Sequence, residues 1–82
     1  MNKIINVLEQ RLNALYYDFN TNERFYNKNY YRFSPTEKDF QEKIKDSIYK
    51  ELEYIKALIN EMGLYYKWDI VKNRYLISNE EV

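Results

Sequence analysis

Two stretches of this chain, residues 23–33 (ERFYNKNYYRF) and 65–75 (YYKWDIVKNRY), interleave aromatic with basic side chains. That mixture serves two kinds of recognition. Aromatic faces stack unpaired bases while Arg and Lys meet phosphates, which is how single-stranded nucleic acid is held. Tyr, Trp and Arg also concentrate binding energy at protein interfaces, because each brings a large contact area together with a polar handle. The candidate contact set is Tyr26, Tyr30, Tyr31 and Arg32 from the first stretch and Tyr66, Trp68 and Arg74 from the second. A purely structural use competes with both, since a small chain without many leucines must build its core from aromatics.

Residue types that perform catalysis are sparse. The chain has no cysteine and no histidine, which removes thiolate nucleophiles, disulfides, cysteine zinc sites and the usual proton shuttle. Acid–base catalysis needs carboxylates held in contrasting environments, and the acids here are scattered singly over helix faces. Phosphate and dinucleotide cradles need several glycines at fixed spacing, whereas Gly63 stands alone. The sequence therefore predicts a chain that is not an enzyme and has no catalytic residue, cofactor or metal.

The elements that must position these side chains are organised around residues 34–63. Ser34 is placed to cap a helix, Pro35 occupies the first turn where its missing N–H costs nothing, and Glu37 falls three residues after the cap. Gly63 supplies the left-handed residue that ends it. Phe40, Ile44, Ile48, Leu52, Ile55, Ile59 and Met62 form its apolar stripe, with Tyr49, Tyr54, Ala57 and Leu58 beside it. Asp39 with Lys43 and Asp46 with Lys50 are set to pair across one turn on a solvated face. Ahead of this helix, residues 4–19 place Ile5, Leu8, Leu12, Leu15 and Phe19 on one stripe of a short amphipathic helix, with Asn2 as its cap. Residues 20–33 break the helical period and read as an aromatic connector, either an ordered loop or a short hairpin turning at Asn27, Lys28 and Asn29. After Gly63 the alternation of Leu64, Tyr66, Trp68 and Ile70 predicts a strand, a turn near residues 71–73, and a return over Tyr75 and Ile77. Two strands alone are marginal in water, so this hairpin must lie on the helices or pair with the connector. Residues 80–82 read as a frayed tail. The expected architecture is a single α+β domain spanning residues 1–82: short helix, aromatic connector, long central helix and a C-terminal β-hairpin packed on the helices.

Formal net charge is zero, so no overall field attracts nucleic acid. Local balances differ. Arg24, Lys28 and Arg32 outweigh Glu23 in the connector, and Lys67, Lys72 and Arg74 outweigh Asp69 in the hairpin. No run of apolar residues is long enough to span a bilayer, and Glu9 interrupts the stretch a signal peptide would need, so a cytoplasmic protein without membrane association is expected. The ten Tyr beside many Asn, Lys and Ile are residues of AT-rich codons. In size, composition and lack of catalytic residues the chain resembles the small accessory proteins of phages and mobile elements of low-GC Gram-positive bacteria. That resemblance carries no residue over. It implies a stoichiometric inhibitor or regulator, anti-CRISPR-like, whose partner is a host or defence protein. The alternative is a small nucleic-acid-binding regulator. A monomer is expected, or a homodimer through the long helix if the shorter first helix leaves part of it unpaired.

Overall fold

The computed structural model describes residues 2–79 and has two helices followed by an antiparallel hairpin. Helix α1 spans Asn2–Lys28, a 3-10 turn spans Tyr30–Arg32, and helix α2 spans Pro35–Glu61. Strands β1 (Tyr65–Asp69) and β2 (Arg74–Ser78) pair with Trp68 opposite Tyr75 and Tyr66 opposite Ile77. The α+β architecture read from the sequence is the one observed. Residues 80–82 lie outside the described residues, as does the side chain of Asn2.

Both ends of α2 follow the local chemistry. The Ser34 Oγ accepts the Glu37 amide at 3.2 Å, and the Glu37 carboxylate accepts the Ser34 amide at 3.4 Å, closing a reciprocal capping box. At the other end the Gly63 amide donates to Asn60 and the Leu64 amide to Ile59, both at 3.0 Å, with Gly63 at φ 76°. This is the Schellman arrangement, which satisfies two carbonyls the helix would otherwise leave open. It also drives Leu64 into the core. The charge pairs of the solvated face form as expected, Lys43 with Asp39 and Lys50 with Asp46, each at 3.0 Å.

The first helix departs from its predicted length. It continues to Lys28, so residues 20–28 are neither loop nor hairpin, and the connector shrinks to the turn between Asn29 and Ser34. Asn20, Thr21 and Asn22 favour turns in isolation, but packing overrides so weak a preference. The stripe of Leu8, Leu12, Leu15 and Phe19 runs on at helical spacing through Asn22 to Tyr26, and this face lies against α2. Glu23 reaches Lys45 at 3.5 Å, and Tyr26 donates to Glu42 at 3.1 Å. The Asn22 Oδ1 is buried in that seam and accepts no hydrogen bond among the described residues. Because each helix is 27 residues long, α2 has no unpaired third, and the length mismatch that would favour pairing between long helices is absent.

The core occupies one end. Leu8, Leu12 and Leu15 of α1 meet Leu52, Ile55 and Ile59 of α2, and Leu64 and Ile77 close the cluster from the hairpin side. The two ends of the predicted α2 stripe stay outside it: Phe40 and Met62 are exposed and Ile44 is half-buried, while the half-buried Ile48 packs against its margin. The hairpin is fastened to α1 by polar groups. Asn13 accepts the Tyr75 amide at 2.7 Å and returns its own N–H to the Tyr75 carbonyl at 3.0 Å. Glu9 accepts the Ile77 amide at 3.0 Å and binds the Arg74 guanidinium at 2.9 Å. These side chains satisfy the backbone along the outer edge of β2, which would otherwise be an open sheet edge. Residues 70–73 make the turn, where the Asp69 Oδ1 accepts the Val71 and Lys72 amides and Asn73 takes a positive φ of 55°. Ile70, read as the last inward residue of the strand, has instead entered that turn and is exposed. Among the described residues no helix is long and apolar enough to cross a membrane.

Candidate interaction surface at the interhelix turn

The hairpin covers one side of the helix pair but not its full length. On α2, Lys45, Tyr49 and Lys56 share one face by their spacing of four and seven. Lys56 lies under the hairpin, 5.8 Å from the Tyr66 ring and 5.9 Å from the Tyr75 ring. Tyr49 and Lys45 lie past its tip, where they meet Phe19 from α1. Here the Phe19 and Tyr49 rings are 6.1 Å apart, and a groove of about 420 Å³ opens between Phe19, Glu42, Lys45, Asp46 and Tyr49. On the opposite side of the pair a second groove, of about 370 Å³, runs between Asp18, Asn22, Phe25 and Ile48. Among the described residues, this end therefore has two helices and no third layer.

Aromatic side chains cap the end. The Asn29 amide and side chain both donate to the Phe25 carbonyl, at 3.1 and 2.9 Å, which closes α1. The chain then tightens into the 3-10 turn as the Arg32 amide reaches the Asn29 carbonyl at 2.9 Å. That turn stacks rings edge to face: Tyr26 on Tyr30 at 5.6 Å and Tyr30 on Tyr31 at 5.5 Å, with Phe33 against Phe25 at 5.7 Å. The Lys38 ammonium sits 3.9 Å over the Tyr30 ring, a cation–π contact that joins the turn to the first turn of α2. Desolvation in this cluster, followed by the hydrogen bond to Glu42 and the nearby Glu42 and Tyr30 groups, raises the Tyr26 hydroxyl above the usual tyrosine pKa.

The seven candidate contact residues divide between this end and the hairpin. Tyr26, Tyr30, Tyr31 and Arg32 belong to the turn. Tyr31 is 96% exposed, and among the described residues neither Arg32, Lys28 nor Arg24 makes an ion pair. Tyr66, Trp68 and Arg74 are half-buried in internal contacts. Trp68 packs on Tyr16 at 5.0 Å and on Tyr75 at 5.1 Å, Tyr66 packs on Tyr75 at 6.0 Å, and Arg74 is held by Glu9. The rings of the two stretches stay apart, because Tyr26 lies ten residues beyond Tyr16 along α1, about 15 Å at the helical rise, and the stretches meet only where Arg24 shares a groove of about 360 Å³ with Trp68, Asn73 and Arg74. Phe25, Lys38 and Tyr49 join the turn end without having been singled out in the sequence. Phe25 is flagged only by its proximity to the aromatic stretch, and nothing local distinguishes Lys38 or Tyr49 from the rest of α2.

Among the described residues no three acids come together in a way that could hold a metal ion. Compared with protein families, with curated proteins and with solved structures, the chain matches none, so the functional reading rests on the geometry of the molecule.

Proposed function

We propose that this chain is a small protein-binding module that acts by stoichiometric occupation of a partner's surface, and that the interhelix turn is where the partner docks. The observation that carries this reading is the uncovered end of the helix pair: Tyr31 stands almost fully in solvent beside Arg32, and along the helices two grooves, one with Phe19 and Tyr49 among charged side chains and one with Phe25 and Ile48 among polar ones, are filled by no third element among the described residues. Tyr and Arg in such a position supply the area and charge of an interface anchor, and flanking rings exclude water around them. Arg24, Lys28 and Arg32, which make no ion pair among the described residues, favour a partner surface that mixes carboxylates with apolar groups. Composition supports a phage or mobile-element accessory protein that inhibits or regulates a host or defence protein in the cytoplasm, in the manner of anti-CRISPR proteins.

The same unpaired cations beside exposed Tyr rings support a second reading, in which the turn stacks bases of single-stranded nucleic acid. One experiment separates them. Tagged protein is used to capture partners from lysate of a low-GC Gram-positive bacterium, with and without nuclease, alongside a Tyr31→Ala/Arg32→Ala variant. A single protein retained through nuclease treatment and lost with the double variant is the expected result. Loss on nuclease treatment, with salt-sensitive binding to oligonucleotides, would favour the second reading. Retention by a folded double variant would place the docking surface elsewhere.

A further inference from the structure

The hairpin's two outer edges are treated differently. Since Tyr75 and Ile77 bond outward to Asn13 and Glu9, alternation along β2 directs Arg74, Leu76 and Ser78 toward β1. Their partners Tyr65, Lys67 and Asp69 therefore face β2, and the backbone groups of Tyr66 and Trp68 face away from it. Among the described residues no hydrogen bond reaches these groups. The strand carrying them is short, and across the hairpin Lys67, Trp68, Asp69 and Ile70 with Leu76 and Ser78 of β2 line a groove of about 460 Å³. Ile70 and Val71, 85% and 94% exposed, stand at its end. An unpaired strand edge flanked by exposed aliphatics is a template for another strand.

We infer that this edge pairs with the same edge of a second copy of the chain, antiparallel about a two-fold axis at Trp68, to make a four-stranded sheet. The sequence of β1 selects both occupant and register. A two-fold pairing must set the outward-facing Tyr66 and Trp68 against outward-facing residues, which leaves few choices. Centring on Tyr66 brings Leu64 opposite Trp68 of the second copy, but Leu64 is buried and its amide already donates to Ile59. Centring on Lys67 sets two lysines directly opposite, which is destabilising. Centring on Trp68 sets Lys67 opposite Asp69 of the second copy, twice over by symmetry, and brings the exposed Ile70 of the turn close to Tyr66 of the second copy. The edge is thus self-complementary in charge and in apolar surface, as a two-fold interface requires. The dimer is independent of the turn end, which it leaves open on both copies.

Sedimentation equilibrium on the full chain tests this, with cross-linking to fix the register. The expected result is a concentration-dependent species of twice the 10.2 kDa chain mass. Lys67→Glu, at an exposed position, sets like charges opposite and is expected to weaken association at least ~10-fold. Because the chain has no cysteine, single-cysteine variants report register directly. At the centre of a hydrogen-bonded pair, Cα atoms lie about 5.5 Å apart, within reach of a disulfide. Trp68→Cys is therefore expected to cross-link on mild oxidation, and Lys67→Cys to remain largely single. A monomer at about 1 mM overturns the proposal. So does a dimer undiminished in Lys67→Glu, whether formed by the helices or by another register, and so does cross-linking through Lys67→Cys in preference to Trp68→Cys. Binding of an unrelated extended peptide to this edge, with the chain itself monomeric, would overturn it in favour of a different occupant.

Discussion

The two ends of this molecule use the same helices to different effect. Where α1 and α2 carry Leu8, Leu12, Leu15, Leu52, Ile55 and Ile59, the hairpin lies over them and water is excluded. Where they carry Phe19, Tyr26 and Ile44, no strand among the described residues lies over them, and each of these residues is only half-buried. A pair of helices presents apolar stripes wider than the seam between them, so a third element is needed to make a dry core. The difference shows that the hairpin divides the helix pair into an end with a dry core and an end whose apolar side chains stay partly in solvent.

The sharpest way to break the comparison is to make equivalent truncations in the two ends. Leu12, with 0% exposure, has nothing to lose but packing, and Leu12→Ala is expected to cost about 3 kcal/mol in urea denaturation. Ile44→Ala, in the uncovered end, is expected to cost under about half of that, since its side chain is only partly buried and lies outside the core cluster. Equal losses would mean that the two ends are packed alike. Next in size is the polar clip that holds the hairpin down. Asn13→Ala leaves the Tyr75 amide and carbonyl without partners, an expected loss of about 2 kcal/mol, accompanied by faster exchange of the Tyr75 amide than of amides in the centre of α2. No change in that exchange would show that the hairpin holds its place without α1.

A smaller effect concerns the junction that sends the chain back over the core. At Gly63 a Cβ would meet nothing within 4 Å, so only the left-handed backbone, at φ 76°, resists substitution. Gly63→Ala is expected to cost about 1 kcal/mol by denaturation, and a much larger loss would reveal a steric role. The smallest concerns Tyr26. Its pKa is raised in the folded protein above the ordinary 10.0, so its contribution is fully present below that pH and is lost as pH rises through the folded value. Ionised Tyr26 would face the Glu42 carboxylate. The alkaline loss of stability is therefore expected to be shallower in Tyr26→Phe than in the parent, and identical pH profiles would show that the hydroxyl is not coupled to folding.

Much of the fold was legible because its signals are local. Ser34, Pro35 and Glu37 mark one end of α2 and Gly63 the other, and the alternation after Gly63 marks the strands. The last third of α1 was not, because Asn20, Thr21 and Asn22 carry a turn preference that only contact with α2 overcomes. The clip of Glu9 and Asn13 onto Ile77 and Tyr75 joins residues 62 to 68 positions apart, and no spacing rule could link them. The candidate surface was legible in residue type but not in place. Tyr66, Trp68 and Arg74 have the same chemistry as Tyr30, Tyr31 and Arg32, and only the position of the hairpin makes the first group internal and leaves the second facing solvent.

The division into two ends is tested most directly by native-state amide hydrogen exchange on the free protein, read residue by residue. The slowest exchange is expected across residues 8–15 and 52–59, with Tyr75 and Ile77 protected by their bonds to α1. The helical amides of residues 20–28 and 36–46 are expected to open with markedly lower free energy, as a two-helix segment without a covering layer should. Uniform protection along both helices would contradict the division, because it would mean that the uncovered end is as firmly built as the core and needs no contact to complete it.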